Sequence, residues 1–388
     1  MKKKVVKIVV PILISLLVIA SGTFGAAYAL IRFGELPVGM KPLLEAKTFA
    51  EKIPDTTETI MNQWGNVIIY EPVDPPPTME ELLKQRELEI EEISKEELQT
   101  IFKDVDDISL SKYINENQDV LNNGPEKLFI DLVDDTNTPT GIKTQQEDDV
   151  LALDAINKIM IAGRTFEHNG TPSHAKIALA YNMNSVNMSL VRNMSYWDEV
   201  DVHANENRAI LAINASGYNW NDIGSYAILY GAMRYKGETI RKPLNPEDVI
   251  SFAEDGRMSI GEDIDSTYNA FEFLPTLIKN GEVVYAPKEG EVEGRSAITA
   301  IGQKEDGTTI MVVSSGGLYG SEIGATYSDM LQIMQDYGAY NATILSGGSR
   351  SIMYWNGRTV NETVGYDRRG VRLPNTIYVS YYTELAEG

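Results

Sequence analysis

Four dipeptides set the terms for any fold of this 388-residue chain: Asp255-Gly256, Asn280-Gly281, Asp306-Gly307 and Asn356-Gly357, each between runs of β-prone residues. Asn, Asp and Gly tolerate the positive φ angles of tight turns, so each pair closes two antiparallel strands onto one another. Ala209–Ile213, Ile310–Val313 and Ala342–Leu345 are apolar enough for buried strands. One helix interrupts them: Met330, Ile333, Met334 and Tyr337 share a face, Ser328 is placed to cap it and Gly338 to stop it. These signals describe an α+β domain over residues 152–388, mostly antiparallel β-sheet with a few helices.

What precedes that domain reads differently. Ile8 to Ile31 carries no charged side chain, which is long enough to cross a hydrocarbon core of about 30 Å as a single transmembrane helix. Lys2, Lys3, Lys4 and Lys7 precede it, favouring a cytoplasmic tail over residues 1–7 and an extracellular body at the cell membrane. Ala27-Tyr28-Ala29 offers the alternative of a cleaved signal peptide. Residues 32–151 read as a helical stalk. Pro72, Pro75, Pro76 and Pro77 stiffen it, Thr78-Met79-Glu80-Glu81 has the form of a capping box, and an acidic helical face follows.

Composition narrows the chemistry. The net charge of −22 repels phosphate backbones, so nucleic acid is not an expected partner. Without cysteine there are no disulfides, thiolate metal sites or cysteine nucleophiles. His168, His174 and His203 read as surface residues rather than ligands, and no cofactor is indicated, a divalent cation included. Ser173-His174-Ala175-Lys176 fits S-x-x-K, but no S-D-N or K-T-G accompanies it. The most informative segment is Leu345-Ser346-Gly347-Gly348-Ser349-Arg350-Ser351. A strand running into paired glycines and small hydroxyls lets backbone N–H groups approach an anion, and Arg350 could add a planar fork. The same residues also describe a plain glycine-rich turn with a surface arginine. Ser314-Ser315-Gly316-Gly317 follows another strand and could share one pocket floor with it.

Taken in order, several segments resemble the phosphodiester glycosidase family. Ala212–Tyr218 resembles its NAxFF-type strand end, Phe273–Gly281 its P-x-L-I-x-x-G hairpin, and Gly294–Ile298 its R-T-A-I-G element. Gly324–Thr326, Tyr337–Ala342, Leu345–Ser349 and Leu373–Asn375 resemble its C-terminal half. The resemblance implies hydrolysis of a sugar from a sugar-1-phosphodiester, with phosphate-linked cell-surface glycan as the partner. It implies that Arg295 binds phosphate and that Asn214 hydrogen-bonds substrate or holds the site together. Gly347, Gly348 and Ser349 would give close-approach backbone and a hydroxyl, and Asn375 would close the site. Arg372 would assist, with Arg369 competing for that role.

The departures bear on mechanism. Where the family pattern reads L-D-G-G-S-S, Ser346 stands in place of the acid and Arg350 in place of the second serine. The V-V-D-G-R strand reads Val312-Val313-Ser314-Ser315-Gly316-Gly317, so Ser315 replaces a second acid. A serine neither transfers protons near neutral pH unaided nor carries charge toward an oxocarbenium-like centre. Ser346 with Glu322 or Asp329, or Asp265, are the candidate catalytic groups. A related domain that binds such glycans, or an envelope assembly partner, without hydrolysis is the alternative.

Overall fold

The structure is a computed structural model. It describes residues 58–61, 67–70, 95–117, 129–130, 139–168, 170–191, 197–220, 227–288, 292–316, 323–361, 363 and 370–381. The expected transmembrane run at 8–31, the proline cluster and the Thr78 capping box lie outside these residues. Among the described residues no helix is long and apolar enough to cross a membrane. Contacts divide the chain into two units: Met1–Thr59 with Ile69–Pro72, and Ile60–Ile68 with Val73–Gly388. The short strands β1 (Glu58–Met61) and β2 (Val67–Tyr70) carry residues of both; everything below concerns the second unit.

Two helices, α1 (Lys95–Ile101) and α2 (Asp107–Glu116), are followed by β3 (Phe129–Ile130), β4 (Asp149–Asp154), β5 (Ile159–His168), β6 (Thr171–Ala180) and β7 (Val186–Leu190). Next come α3 (Val200–Glu206), β8 (Ala209–Asn214), β9 (Tyr218–Trp220), β10 (Ala227–Leu229), β11 (Met233–Tyr235) and β12 (Glu238–Arg241). Then follow β13 (Val249–Phe252), β14 (Met258–Ile260), β15 (Asn269–Glu272), β16 (Thr276–Lys279), β17 (Glu282–Val283), β18 (Thr299–Gln303) and β19 (Thr309–Ser314). The chain closes with α4 (Tyr327–Asp336), β20 (Asn341–Leu345), β21 (Met353–Trp355), β22 (Arg358–Thr359) and β23 (Asn375–Ser380).

Among the described residues β9 and β10 pair in a two-stranded sheet, and three larger sheets organise the rest of these strands. The largest has nine, in the order β17-β16-β20-β18-β19-β6-β5-β4-β3; two five-stranded sheets run β22-β21-β8-β23-β7 and β12-β11-β15-β13-β14. The ladders with a stated register within them are all antiparallel. The expected β-rich α+β class therefore holds for the described domain. All four turn dipeptides lie between paired strands: β13–β14, β16–β17, β18–β19 and β21–β22. At Asn280-Gly281 and Asn356-Gly357 both residues have positive φ, the geometry a two-residue hairpin loop needs.

Helix α4 presents the expected face, with Met330, Ile333, Met334 and Tyr337 buried. Its cap lies two residues earlier than the sequence suggested. Thr326, not Ser328, is the N-cap, and it forms a reciprocal capping box with Asp329. The S-x-x-K quartet lies within β6, where residues three apart project to opposite faces and so cannot cooperate. The histidines were expected at the surface, yet His203 is buried. It shares the inner stripe of α3 with Val200 and Ala204, an i, i+3, i+4 set.

The expected domain boundary at 151/152 needs correction, because it cuts through β4. Leu98, Phe102, Val105, Leu110, Ile142 and Val150 belong to the same core cluster as Ile177, Ile310, Val312, Ile333 and Ile344. The intervening charges pointed to a solvated face, but Leu98, Ile101, Phe102 and Val105 recur at i, i+3, i+4 and i+7, an apolar stripe on the other side. Phe102 meets Tyr181 edge-on with ring centroids 5.8 Å apart. Lys103 pairs with Asp306, and Lys304 with Asp104, tying this region to the β18–β19 hairpin.

Deleting the buried Phe102 ring should therefore cost about 3–5 kcal/mol, whereas Ile108→Ala, at an 80% exposed residue, should cost almost nothing. Urea unfolding of the two variants measures both; equal midpoints would show that the 95–117 segment is only a spacer.

Candidate functional site

The ends of several strands from two sheets meet at one place. β8 ends at Asn214 and β20 at Leu345, while β18 begins at Thr299, β21 at Met353 and β23 at Asn375. Asn214 is fully buried and its amide is spent on the protein. Its Nδ2 donates to the Ser346 carbonyl at 2.6 Å, and its Oδ1 accepts from Thr299 Oγ1 at 2.7 Å and from the Ile352 amide at 3.1 Å. Of the two roles expected for Asn214, this geometry is that of holding the site together. Asn375, also fully buried, accepts the Ser216 amide on Oδ1 at 3.0 Å. That bond fixes the chain just beyond β8.

The glycine-rich loop behaves differently from expectation. The close approach that Gly347 permits is to protein backbone: a Cβ there would lie 2.9 Å from the Ala297 carbonyl oxygen. The same oxygen accepts the Gly348 amide at 2.8 Å, so that N–H is not available to an anion. These contacts nonetheless place the loop against the 295–298 segment. Ser296 in turn exchanges backbone hydrogen bonds with Ala325 at 3.1 and 2.9 Å. A Cβ on Gly324 would lie 2.4 Å from the Ser296 carbonyl carbon, so the loop before α4 also needs its glycine.

Two arginines lie on the chain segments that form this junction. Arg295 is exposed and has no ion pair or hydrogen bond among the described residues. Arg350 is half-buried; its guanidinium carbon lies 3.9 Å from the Tyr218 ring centroid, and Nη2 donates to the Tyr218 carbonyl at 3.1 Å. Tyr218 is itself packed edge-on against Trp197, centroids 4.5 Å apart. The Nε of Arg350 is buried without a hydrogen-bond partner, as are the hydroxyls of Ser216, Ser346 and Ser351. Ser349 is partly exposed on the same turn.

The candidate acids fare unequally. Asp329 takes the Thr326 amide at 2.7 Å and hydroxyl at 2.8 Å on Oδ2, a capping function. Asp265 is exposed beside β12, accepting from Thr239 at 2.7 Å. Ser315 donates its amide to His174 O at 2.9 Å. Arg372 is exposed and paired with Glu199 at 3.3 Å, away from the glycine loop's hydrogen bonds. Glu322, Arg369 and Gly317 lie outside the described residues. Among the described residues no cluster of three or more His, Asp or Glu side chains is arranged to hold a metal.

Sequence reasoning missed the tether beneath β23. His203 Nε2 faces the Leu373 carbonyl at 3.0 Å, which can only accept, so Nε2 carries the proton. Nδ1 then accepts from Ser189 Oγ at 2.8 Å, and Ser189 also meets Thr376 Oγ1 at 2.7 Å. This buried Ser–His pair holds the strand that delivers Asn375. The pairing of His203 with Val200 and Ala204 on one helical face was the signal that could have found it.

Residues 207–380 match the family model described as phosphodiester glycosidase. The match spans the strand ends just described and bears out the resemblance of the motifs. A curated relative is the SPbeta prophage-derived uncharacterized protein YomE of Bacillus subtilis (strain 168). It is 28% identical over 191 residues, 46% of this chain but 29% of YomE. Among solved structures, the zebrafish N-acetylglucosamine-1-phosphodiester alpha-N-acetylglucosaminidase catalytic domain, auto-inhibited by its pro-peptide, is 17% identical with a TM-score of 0.47. That likeness covers 58% of this chain and 82% of that one. A hypothetical protein from Synechocystis is 16% identical with a TM-score of 0.45, over 57% of this chain and 62% of that one. The chain thus spans under a third of YomE and about three-fifths of the Synechocystis protein.

Two measurements test the junction. Asn214→Ala strands the Ser346 carbonyl, the Thr299 hydroxyl and the Ile352 amide in a dry interior, at a cost of about 3 kcal/mol or more; denaturant unfolding reads it, and a loss under about 1 kcal/mol would deny the clamp. Burial lowers the His203 pKa from its ordinary 6.5, outweighing the Leu373 hydrogen bond and the charge of Asp198. The unfolded chain then takes up the proton more readily, so stability is full above pH 6.5 and falls as pH drops through the folded value. His203→Gln, which keeps a donor for Leu373, should remove that part of the acid sensitivity in thermal melts at pH 5 and 7. Identical pH slopes would count against it.

Proposed function

We propose that the 207–380 domain hydrolyses sugar-1-phosphodiester linkages in phosphate-bearing glycans of the cell surface. The observation that supports this reading is the convergence of the strand ends within the matched residues on a junction whose segments carry Arg295 and Arg350, neither with a carboxylate counter-ion among the described residues. The missing acids do not exclude that substrate. An ordinary glycoside expels an alkoxide, whose conjugate acid is as weak an acid as water itself, and so needs a proton donor. A sugar-1-phosphodiester expels a phosphate monoester, whose conjugate acid has a pKa of about 6. That leaving group departs without a proton near neutral pH; it needs cations to hold its developing charge. Arg295 takes this role, and Ser346 in place of an acid is no obstacle to it. Attack on the anomeric carbon still requires a base for water. Of the proposed carboxylates, Asp329 caps a helix and Asp265 sits beside β12, which leaves Glu322 for that task.

The second reading is binding without turnover, favoured by Ser346 and Ser315 standing at both usual acid positions. Membrane anchorage by residues 8–31, with the body outside, belongs to either reading. It rests on the uncharged run behind a lysine cluster, and protease shaving of intact cells should release the body.

A chromogenic sugar-1-phosphodiester and the matching methyl glycoside test the proposal. The full chain should turn over the first and leave the second untouched, and Glu322→Gln should slow turnover by about a hundredfold or more. Cleavage of the methyl glycoside would overturn the leaving-group argument. Tight binding of the phosphodiester with no turnover would establish the second reading.

A further inference from the structure

Charge balance at the junction says more about the ligand than the phosphodiester alone. Arg350 is held face-on to the Tyr218 ring by its stack and by the Nη2 bond to the Tyr218 carbonyl. Ring and carbonyl orient the guanidinium without neutralising it, and its Nε is buried with no partner. A half-buried cation lacking a counter-ion among the described residues is costly to keep unless an anion arrives. Arg295, two residues from the Ala297 carbonyl that receives Gly348 N–H, is a second cation without a carboxylate partner among the described residues. A phosphodiester carries one negative charge and so balances one arginine.

The unused hydrogen-bonding capacity points the same way. Ser346 and Ser351, each 1% exposed, flank Arg350 along the chain, and Ser346 N approaches the Ala215 carbonyl beside Ser216. All three hydroxyls lack a partner. Four unpartnered buried groups on two adjoining chain segments exceed what a self-contained turn leaves.

We propose that Arg350 is a specificity residue for a second anionic group on the sugar, so that the substrate is an acidic sugar phosphodiester rather than a neutral one. This rests on the phosphodiester reading and deepens it. The planar fork suits a carboxylate bidentately and also accepts a phosphate oxygen pair. The shared chemistry is an oxyanion on the ring, from a uronate carboxylate or from a phosphate ester.

Calorimetric titration of the full chain tests it with three probes: a hexose-1-phosphodiester, the corresponding uronate-1-phosphodiester, and the hexose-1-phosphodiester bearing a 6-phosphate. At least one acidic probe should bind about ten- to a hundredfold more tightly than the neutral one. The uronate leading assigns a carboxylate; the 6-phosphate leading assigns an ester. Arg350→Gln should bring the acidic-to-neutral ratio close to one, and Arg350→Lys should restore only part of it, because an ammonium keeps charge without the fork. Circular dichroism confirms that both variants are folded, and Arg295→Gln should weaken all three probes together.

Equal affinity for neutral and acidic probes, or a preference that survives Arg350→Gln, would overturn the proposal while leaving the phosphodiester reading intact. Binding of the acidic probes with no turnover would overturn hydrolysis and leave the specificity standing. Failure of every probe to bind would overturn both.

Discussion

A single buried amide holds the candidate site together. Asn214 reaches from the five-stranded sheet containing β8 to the nine-stranded sheet containing β18 and β20, and it also takes the amide that leads into β21. Each bond is modest by itself, about 1 kcal/mol net. The weight lies in the alternative. Three buried backbone or hydroxyl groups have no water to turn to, so the sheets cannot separate slightly at this point without stranding all of them. Asn375 repeats the device one strand away, and His203 with Ser189 steadies the strand that carries it. Positioning of Arg350 and the Gly347–Gly348 turn is downstream of these bonds.

Much of this was legible in the sequence, and the limits of legibility have physical causes. Turn dipeptides work because φ > 0 is a local property of Asn, Asp and Gly; Asn280-Gly281 and Asn356-Gly357 need no knowledge of the rest of the fold. Buried strands such as Ala209–Asn214 announce themselves by unbroken apolarity. The core contribution of residues 98–110 stayed hidden because its partners lie some two hundred residues away, and acidic neighbours advertised only the wet side. The cap of α4 was misplaced because Thr326 and Ser328 both bear hydroxyls; the reciprocal Asp329 three residues after Thr326 was the deciding signal. His203 escaped because a polar side chain on an apolar stripe looks like surface until its two buried partners are known.

For the site, sequence placed the right segments together and misassigned some of their work. The paired glycines were expected to bring amides to a ligand. Instead Gly347 lets the Ala297 carbonyl come close, and Gly348 spends its N–H on it. Glycine spacing reports that some backbone approaches closely, not which one. Arg350 was visible as a departure from the family pattern, but its orientation depends on Tyr218, more than 130 residues earlier, and no local pattern contains that contact.

The two departures at positions 346 and 350 act in one direction. An acid at 346 would lie four residues from Arg350 on a short turn, and its charge would be available to neutralise the guanidinium. A serine there leaves the cation for something else. The chain as a whole is strongly acidic, with a net charge of −22, so it repels a polyanion at a distance. That repulsion is screened beyond about 8 Å at physiological ionic strength, whereas the half-buried Arg350 acts inside that range and is screened less. On the proposed reading, recognition of an anionic glycan is a short-range event at the strand ends. It depends on Arg350, which the ring and carbonyl of Tyr218 orient.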